Sequence, residues 1–166
     1  MLIHGGSGVG HFAAQFAKAK GAHILTTVSG ANVEFARRLG ADEVVNCTKQ
    51  KFEEEIDDVD LVFDLIGGET QERSWNSLKR VGVMVSTLTP PSEEKAAAHG
   101  ARGLRYMAAE SGADLPEIGA LMDAGQVKPV VMHTFALEQA AEALDFLEYQ
   151  HPSGKVVLVV AYTNPR

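Results

Sequence analysis

The chemistry legible in this 166-residue chain is concentrated near its start, in Gly5-Gly6-Ser7-Gly8-Val9-Gly10. Apolar residues lead into this turn, and a helix-forming run from Val9 to Lys20 leads out of it. A turn so rich in glycine lets the backbone come close to a diphosphate. The free N–H groups that open the following helix then face the anion, and the helix dipole favours negative charge there. A side chain at Gly8 or Gly10 would obstruct the phosphate or the contact between helix and strand. The alternative is a glycine turn that serves packing alone. A preceding strand and a surrounding strand–helix–strand unit are the context that favours a nucleotide.

Other reactive residue types do not group into sites. The chain has six histidines. His4 and His11 bracket the glycine turn, but no cysteine or paired carboxylate stands near them at metal-ligand spacing, so no metal site is expected. Glu53, Glu54 and Glu55 with Asp57 and Asp58 read as a solvated helix face, not as an acid/base pair. Met107, Met122 and Met132 are too far apart to suggest a cofactor box. Trp75 reads as core or as helix-packing surface. No serine nucleophile elbow is present, and no Gly-Lys-Ser/Thr follows the turn, which excludes a P-loop. No residue is assigned a catalytic role.

Composition narrows the function classes. A formal charge of −7, with Lys and Arg scattered, argues against a nucleic-acid surface. Cys47 is the one cysteine, which excludes an intrachain disulfide framework and fits a reducing cytoplasm. No apolar run approaches the length of a membrane span.

The elements that must position the turn alternate between strand and helix. A first helix runs from Val9 to Lys20, with Phe12, Ala13, Phe16 and Ala17 on one face, and Gly21 stops it. His23–Val28 is a β-branched strand, Ser29-Gly30 turns the chain, and a helix covers Ala31 to Leu39. Asp42–Asn46 is a short strand. Asp60–Ile66 is continuously apolar between its acidic residues, as in a strand buried on both faces. Gly67-Gly68 follow, then a helix from Thr70 to Leu78, a strand from Val81 to Thr87, and Leu104–Met107 as a sixth strand. This alternation predicts an α/β fold with a doubly wound parallel sheet in the order 3-2-1-4-5-6. Met1-Leu2-Ile3 is short for a buried strand, so the chain is expected to begin inside its first one.

The pattern changes after Leu115. A helix over Pro116–Ala124 ends at Gly125. Pro129–Met132 reads as a strand, Leu137, Ala140, Ala141, Leu144 and Leu147 mark an amphipathic helix, and Gly154–Val160 is a final strand. Two units are expected: residues 1–125 as a nucleotide-binding domain, and residues 126–166 as a strand–helix–strand segment.

Gly8-Val9-Gly10-His11-Phe12-Ala13, Leu39-Gly-Ala-Asp-Glu-Val44, Asp60-Leu-Val-Phe-Asp-Leu-Ile-Gly-Gly-Glu69, Ser77-Leu-Lys79 and Gly154-Lys-Val-Val-Leu158 occur in this order. As a set they resemble the cofactor-binding half of medium-chain dehydrogenases/reductases, in the zinc-independent quinone-oxidoreductase-like branch. The resemblance implies a Rossmann-type domain and a separate catalytic domain, a GroES-like β-barrel, which is absent from this sequence. It also implies a small-molecule substrate, a quinone, enone or related carbonyl compound, held between the two domains. This chain would then hold one wall of the substrate site and have little or no turnover alone. The final helix and strand would return toward the missing domain. The turn departs from the branch: it has the loop length of the zinc-dependent enzymes, with Ser7 at the middle glycine position.

Within that resemblance Ser7, Gly8 and Val9 would set backbone N–H groups against the pyrophosphate, in the frame of Gly5, Gly6 and Gly10. Ser29 ends the second strand, where NAD-specific enzymes usually carry an acid for the ribose 2′-hydroxyl. A carboxylate would repel a 2′-phosphate and a hydroxyl can bond one, so NADP is favoured over NAD. Ser29 is equally placed to cap the next helix, and the two readings are not exclusive. Asn32 is placed to help hold the phosphate, while Arg37 and Arg38 lie too late on their helix to clamp it. Cys47 stands where many relatives carry a tyrosine against the adenosine. Ile66 and Gly67, and Ser86, Thr87 and Leu88, would flank the nicotinamide ribose and ring. Two other readings share these signals: a nucleotide-binding module without hydride chemistry, and an S-adenosylmethionine methyltransferase, against which Ser29 counts. Leu104–Met107 would be an exposed sheet edge, and the helix from Leu137 to Leu147 and the strand from Lys155 to Val160 would lack their usual partner domain, so a homodimer or a higher assembly is expected, with the sixth strand or the C-terminal segment at the contact.

Overall fold

The computed structural model describes residues 1–150 and 152–160. Its main sheet has six strands, all parallel, in the order β3-β2-β1-β4-β5-β6. β1 (Leu2–His4) pairs with β2 (Leu25–Val28) on one side and β4 (Val59–Asp64) on the other. β3 (Glu43–Asn46) closes one edge, and β5 (Leu78–Ser86) leads to β6 (Arg102–Arg105) at the other. β1 is only three residues long, yet it is the central strand, and Leu2, Ile3 and His4 are each 0% exposed. Alternation sends Leu2 and Ile3 to opposite faces. Leu2 joins Phe52, Val62, Trp75 and Met84 in one core cluster, while Ile3 joins Ala14 and Ile24 in the other.

The connections are helical. α1 (Gly10–Ala19) follows β1 and ends before Gly21, whose φ of +81° is a conformation glycine adopts at little cost. A single 3₁₀ turn, Gly30–Asn32, leads into α2 (Val33–Arg38), and α3 (Phe52–Glu55) precedes β4. α4 (Gly68–Ser74) tightens into a 3₁₀ turn over Trp75–Ser77, so it stops short of Leu78, which already belongs to β5. α5 (Glu93–His99) starts at Ser92, whose hydroxyl accepts from the Lys95 N–H, and closes at Gly100 in the left-handed region. β6 sits two residues earlier than the sequence pattern suggests, because Arg102 to Arg105 align with Val83 to Ser86.

Beyond β6 come α6 (Leu115–Asp123), β7 (Val131–Ala136), α7 (Ala140–Gln150) and β8 (Lys155–Val159). β7 and β8 pair in parallel as a second, two-stranded sheet. The predicted strand at Pro129–Met132 is displaced toward the C-terminus, and its ladder covers Val131 to Ala136. Residue 151 and residues 161–166, parts of the predicted C-terminal segment, lie outside the described residues. Among the described residues no helix is long and apolar enough to cross a membrane.

Candidate functional site

The glycines of the opening turn divide into two kinds. At Gly10 an added Cβ would lie 1.8 Å from the Gly5 carbonyl oxygen, at Gly6 it would meet Val28 Cγ1 at 2.8 Å, and at Gly5 it would meet Ile66 Cδ1 at 3.0 Å. These positions are glycine because α1 and the ends of β2 and β4 crowd the turn. At Gly8 an added Cβ would meet nothing within 4 Å. Gly8 therefore faces open space, the position at which a ligand can approach the backbone.

Donors gather beside that opening. Ser7 and Val9 supply carbonyls to the first turn of α1, through His11 N–H at 2.9 Å and Ala13 N–H at 3.1 Å. Among the described residues the N–H groups of Ser7, Gly8 and Val9 donate to no protein acceptor. The first turn of α1 carries no acidic residue and no side-chain cap. These are the orphan donors of a helix start, at the positive end of its dipole.

A cavity of about 230 Å³ opens next to the turn at the C-terminal edge of the sheet. Gly5, Gly6 and Ser7 form one wall, and Ser29 and Asn32 continue it past the end of β2. Ile66 and Thr70 close it from the β4–α4 side. The turn, Ser29, Asn32, Cys47 and Ile66 were legible in the sequence, whereas Thr27, Val28, Phe52, Thr70 and Arg73, which also line the cavity, were not. Cys47 follows β3 directly, so its place was readable from the strand pattern. Phe52 and Arg73 come from separate helices and carry no local signal.

Beneath Thr27 lies a buried hydrogen-bonded chain. His4 Nδ1 stands 2.8 Å from the Thr27 hydroxyl and Nε2 stands 2.8 Å from the Ser74 hydroxyl. The Ser74 hydroxyl donates to the Thr70 carbonyl at 2.6 Å, so Ser74 accepts from His4 Nε2–H and Thr27 donates to Nδ1. Burial pushes the imidazole down to about 4, against the charge of nearby Asp64. His4 is thus a neutral structural bridge from β1 to β2 and α4.

His11 works similarly on the turn. Its Nδ1 donates to the Gly8 carbonyl at 3.0 Å, and its Nε2 accepts from the Val130 N–H at 3.4 Å. Burial lowers its pKa. Gln15 adds bonds to Lys128 N–H and Lys128 carbonyl at 2.8 and 3.0 Å, so α1 carries the chain that leads to β7.

The two strand ends expected to flank a nicotinamide lie side by side. Burial alone would raise the Asp64 carboxyl, but N–H groups of Gly67 and Ile66 at 2.8 and 3.0 Å, with Gln71, hold it below its ordinary value. That carboxylate shapes the Ile66-Gly67 turn. Thr87 N–H donates to the Asp64 carbonyl at 3.2 Å, and the Ser86 hydroxyl accepts from Leu88 N–H at 3.2 Å. Leu88 Cδ1 lies 3.3 Å from where a Gly67 side chain would begin. Gly67, Ser86, Thr87 and Leu88 are outside the cavity lining and continue the same sheet edge beyond Ile66.

One expectation is corrected here. Ser29 does not cap the following turn through its side chain; its hydroxyl accepts from Asn32 Nδ2 at 3.0 Å. Asn32 Oδ1 in turn accepts from the Ser153 hydroxyl, which ties it to the C-terminal segment. The region also has a cation within reach. Arg37 is spent on Glu34 at 2.6 Å, but Arg73 of α4 lines the cavity, held by Glu53 and lying over the Phe52 ring.

Comparison with known proteins places the chain. The family model for "Zinc-binding dehydrogenase" matches residues 39–158. The NAD(P)H oxidoreductase RTN4IP1, mitochondrial, of Danio rerio is 35% identical over 96% of this chain and 49% of its own length. The NADPH-dependent alkenal/one oxidoreductase, chloroplastic, of Arabidopsis thaliana is 32% identical over 95% of this chain and 39% of its own. The solved quinone oxidoreductase from Coxiella burnetii superposes with a TM-score of 0.89 at 34% identity, covering 96% of this chain and 52% of that one. The chain thus spans about half the length of these proteins or less. The family name mentions zinc, and the donors here do not fit one. His4 and His11 spend both ring nitrogens on protein hydrogen bonds, and no group of three or more His, Cys, Asp or Glu able to hold a metal occurs among the described residues. From the matched family model, the shared sheet and the identity to quinone-oxidoreductase-like proteins, the chain belongs to the zinc-binding dehydrogenase family and corresponds to the cofactor-binding domain of the quinone-oxidoreductase-like medium-chain dehydrogenases/reductases.

Proposed function

We propose that this chain binds a nicotinamide dinucleotide, NADP(H) in preference to NAD(H), along the C-terminal edge of its main sheet. The observation that carries this is the set of N–H groups at Ser7, Gly8 and Val9 that find no protein acceptor among the described residues, beside the open face of Gly8 and an α1 start without an acidic residue. A diphosphate satisfies all of them together. The adenosine end extends into the cavity past Ser29 and Asn32, and the nicotinamide end runs past Ile66 and Gly67 toward Ser86, Thr87 and Leu88. Among the described residues no carboxylate lines the cavity to bond ribose hydroxyls or repel a 2′-phosphate. When bound, the cofactor supplies the hydride. The residues of this chain bind it, orient it and shield one side.

The whole protein is then an oxidoreductase acting on a quinone, an enone or a related carbonyl compound. The names of the Arabidopsis and Coxiella relatives support this class. Residues 1–125 form the cofactor unit, and residues 126–166 dock against a catalytic domain that completes the substrate site. The chain alone has little turnover. It pairs as a homodimer through the β6 edge, where Leu104 and Met107 are 52% and 65% exposed. The lone cysteine favours a reducing compartment, read here as the cytoplasm. Two relatives are named mitochondrial and chloroplastic, so fractionation against compartment markers checks that reading.

Titration of NADPH and NADH fluorescence with the chain tests the central claim. Saturable binding of both, tighter for NADPH, is expected. Absence of saturable binding by either cofactor refutes it.

A further inference from the structure

Among the described residues Arg73 is the one charged side chain that lines the cavity beside the glycine turn. It arrives from α4, far in sequence from Ser29 and Asn32, yet it borders the same space. Its setting is built. Nη1 donates to both oxygens of Glu53 at 3.0 and 3.1 Å, and the guanidinium carbon lies 5.0 Å from the centre of the Phe52 ring. The Glu53 side chain is only 14% exposed, so the pair is sheltered on one side. Among the described residues its hydrogen bonds use Nε and Nη1, which leaves the Nη2 donors unspent.

We propose that Arg73 recognises the 2′-phosphate of NADP(H) and sets the preference of this chain for the phosphorylated cofactor. The proposal rests on the cofactor reading above and adds to it the source of the selectivity. Ser29 and Asn32 offer hydroxyl and amide groups, which tolerate a dianion without attracting it strongly. A guanidinium presents several donors in one plane and matches phosphate oxygens. Phe52 and Glu53 fix that plane in advance, so little side-chain freedom is lost on binding. Glu53 also offsets part of the charge, which keeps the cavity near neutral and leaves NADH able to enter. The fold thus delivers from α4 a cation that Ser29 to Asn32, directly after β2, do not supply.

The test measures Kd for NADPH and NADH on the full chain and on Arg73→Met, Arg73→Gln and Arg73→Lys. Arg73→Met is expected to weaken NADPH about tenfold and NADH less than about twofold, a modest ratio because the arginine is partly exposed. Arg73→Gln keeps a hydrogen bond to Glu53 and a stem against Phe52, so it reports charge loss where Arg73→Met fails to fold. Arg73→Lys should restore part of the preference, and raised salt should weaken NADPH more than NADH. Equal weakening of both cofactors would mean that Arg73 contacts the base instead, and overturns the proposal. Unchanged affinities in Arg73→Met and Arg73→Gln overturn it too. Failure of the unmodified chain to bind either cofactor overturns the underlying reading itself.

Discussion

Replacing Gly10 by alanine and Gly8 by valine should separate folding from binding within a single turn. At Gly10 the new methyl would stand 1.8 Å from the Gly5 carbonyl oxygen and 2.8 Å from its carbon. Carbon and oxygen touch comfortably near 3.4 Å, so α1 would have to retreat by roughly 1.6 Å from the turn. Gly5 cannot yield easily, since its φ is +84° and Ile66 packs over it. α1 cannot retreat freely either, because Ala14 is buried against Ile3 and Ile24. Overpacking against side chains costs about 1–3 kcal/mol, and against two fixed backbone segments the upper end, about 3 kcal/mol, is expected. For a domain of this size that corresponds to a fall in Tm of about 6–12 °C. At Gly8 the Cβ of a valine meets no protein atom within 4 Å, so the Tm of Gly8→Val should stay within about 2 °C of the parent. Its branched side chain nevertheless fills the space a diphosphate needs, and NADPH affinity should fall at least about tenfold. Thermal melts by circular dichroism and fluorescence titration read the two effects separately. A Gly10→Ala chain that melts with the parent, or a Gly8→Val chain that binds like it, would refute the reasoning.

Ser29→Asp should lower NADPH affinity about tenfold relative to NADH, because a carboxylate at the end of β2 repels a 2′-phosphate and bonds a free ribose hydroxyl; an unchanged ratio would place the adenosine elsewhere. His4 is neutral in the folded chain with its pKa pushed down to about 4 from 6.5, so the unfolded chain takes up the proton first as pH falls. Stability should therefore be intact above pH 6.5 and decline by about 3 kcal/mol by pH 4, as read by urea unfolding. Asp64 adds a further loss below its ordinary value of 3.8, where the unfolded carboxyl is protonated before the folded one. A His4 ring that titrates near 6.5 by NMR would sink that account. Sedimentation at micromolar concentration should show a dimer that Leu104→Glu converts to monomer; a parent chain that sediments as a monomer removes β6 as an interface.

The strand–helix alternation made the parallel sheet and its order legible, because side chains repeat with the period of their element and right-handed crossovers leave few alternatives. The tight turn over Gly5 to Gly10 was legible for a local reason: at Gly5, Gly6 and Gly10 an added Cβ would meet neighbouring atoms at 3.0 Å or less. That Ser29, Asn32 and Ile66 would border the cavity was legible because they follow strand ends, and strand ends can be read from pattern. The uses of His4 and His11 were not legible. Each looks like an isolated histidine in sequence, and each owes its neutral, bridging state to partners 70 or 119 residues away. Arg73 was hidden for the same reason. It reaches the cavity because α3 and α4 pack on the face of the sheet that holds Phe52 and Trp75, which brings Glu53, Phe52 and Arg73 together at the end of β2. Local sequence specifies which backbone can bend and which face is apolar. Which side chains then share a cavity depends on distances across the sheet, and packing alone sets those.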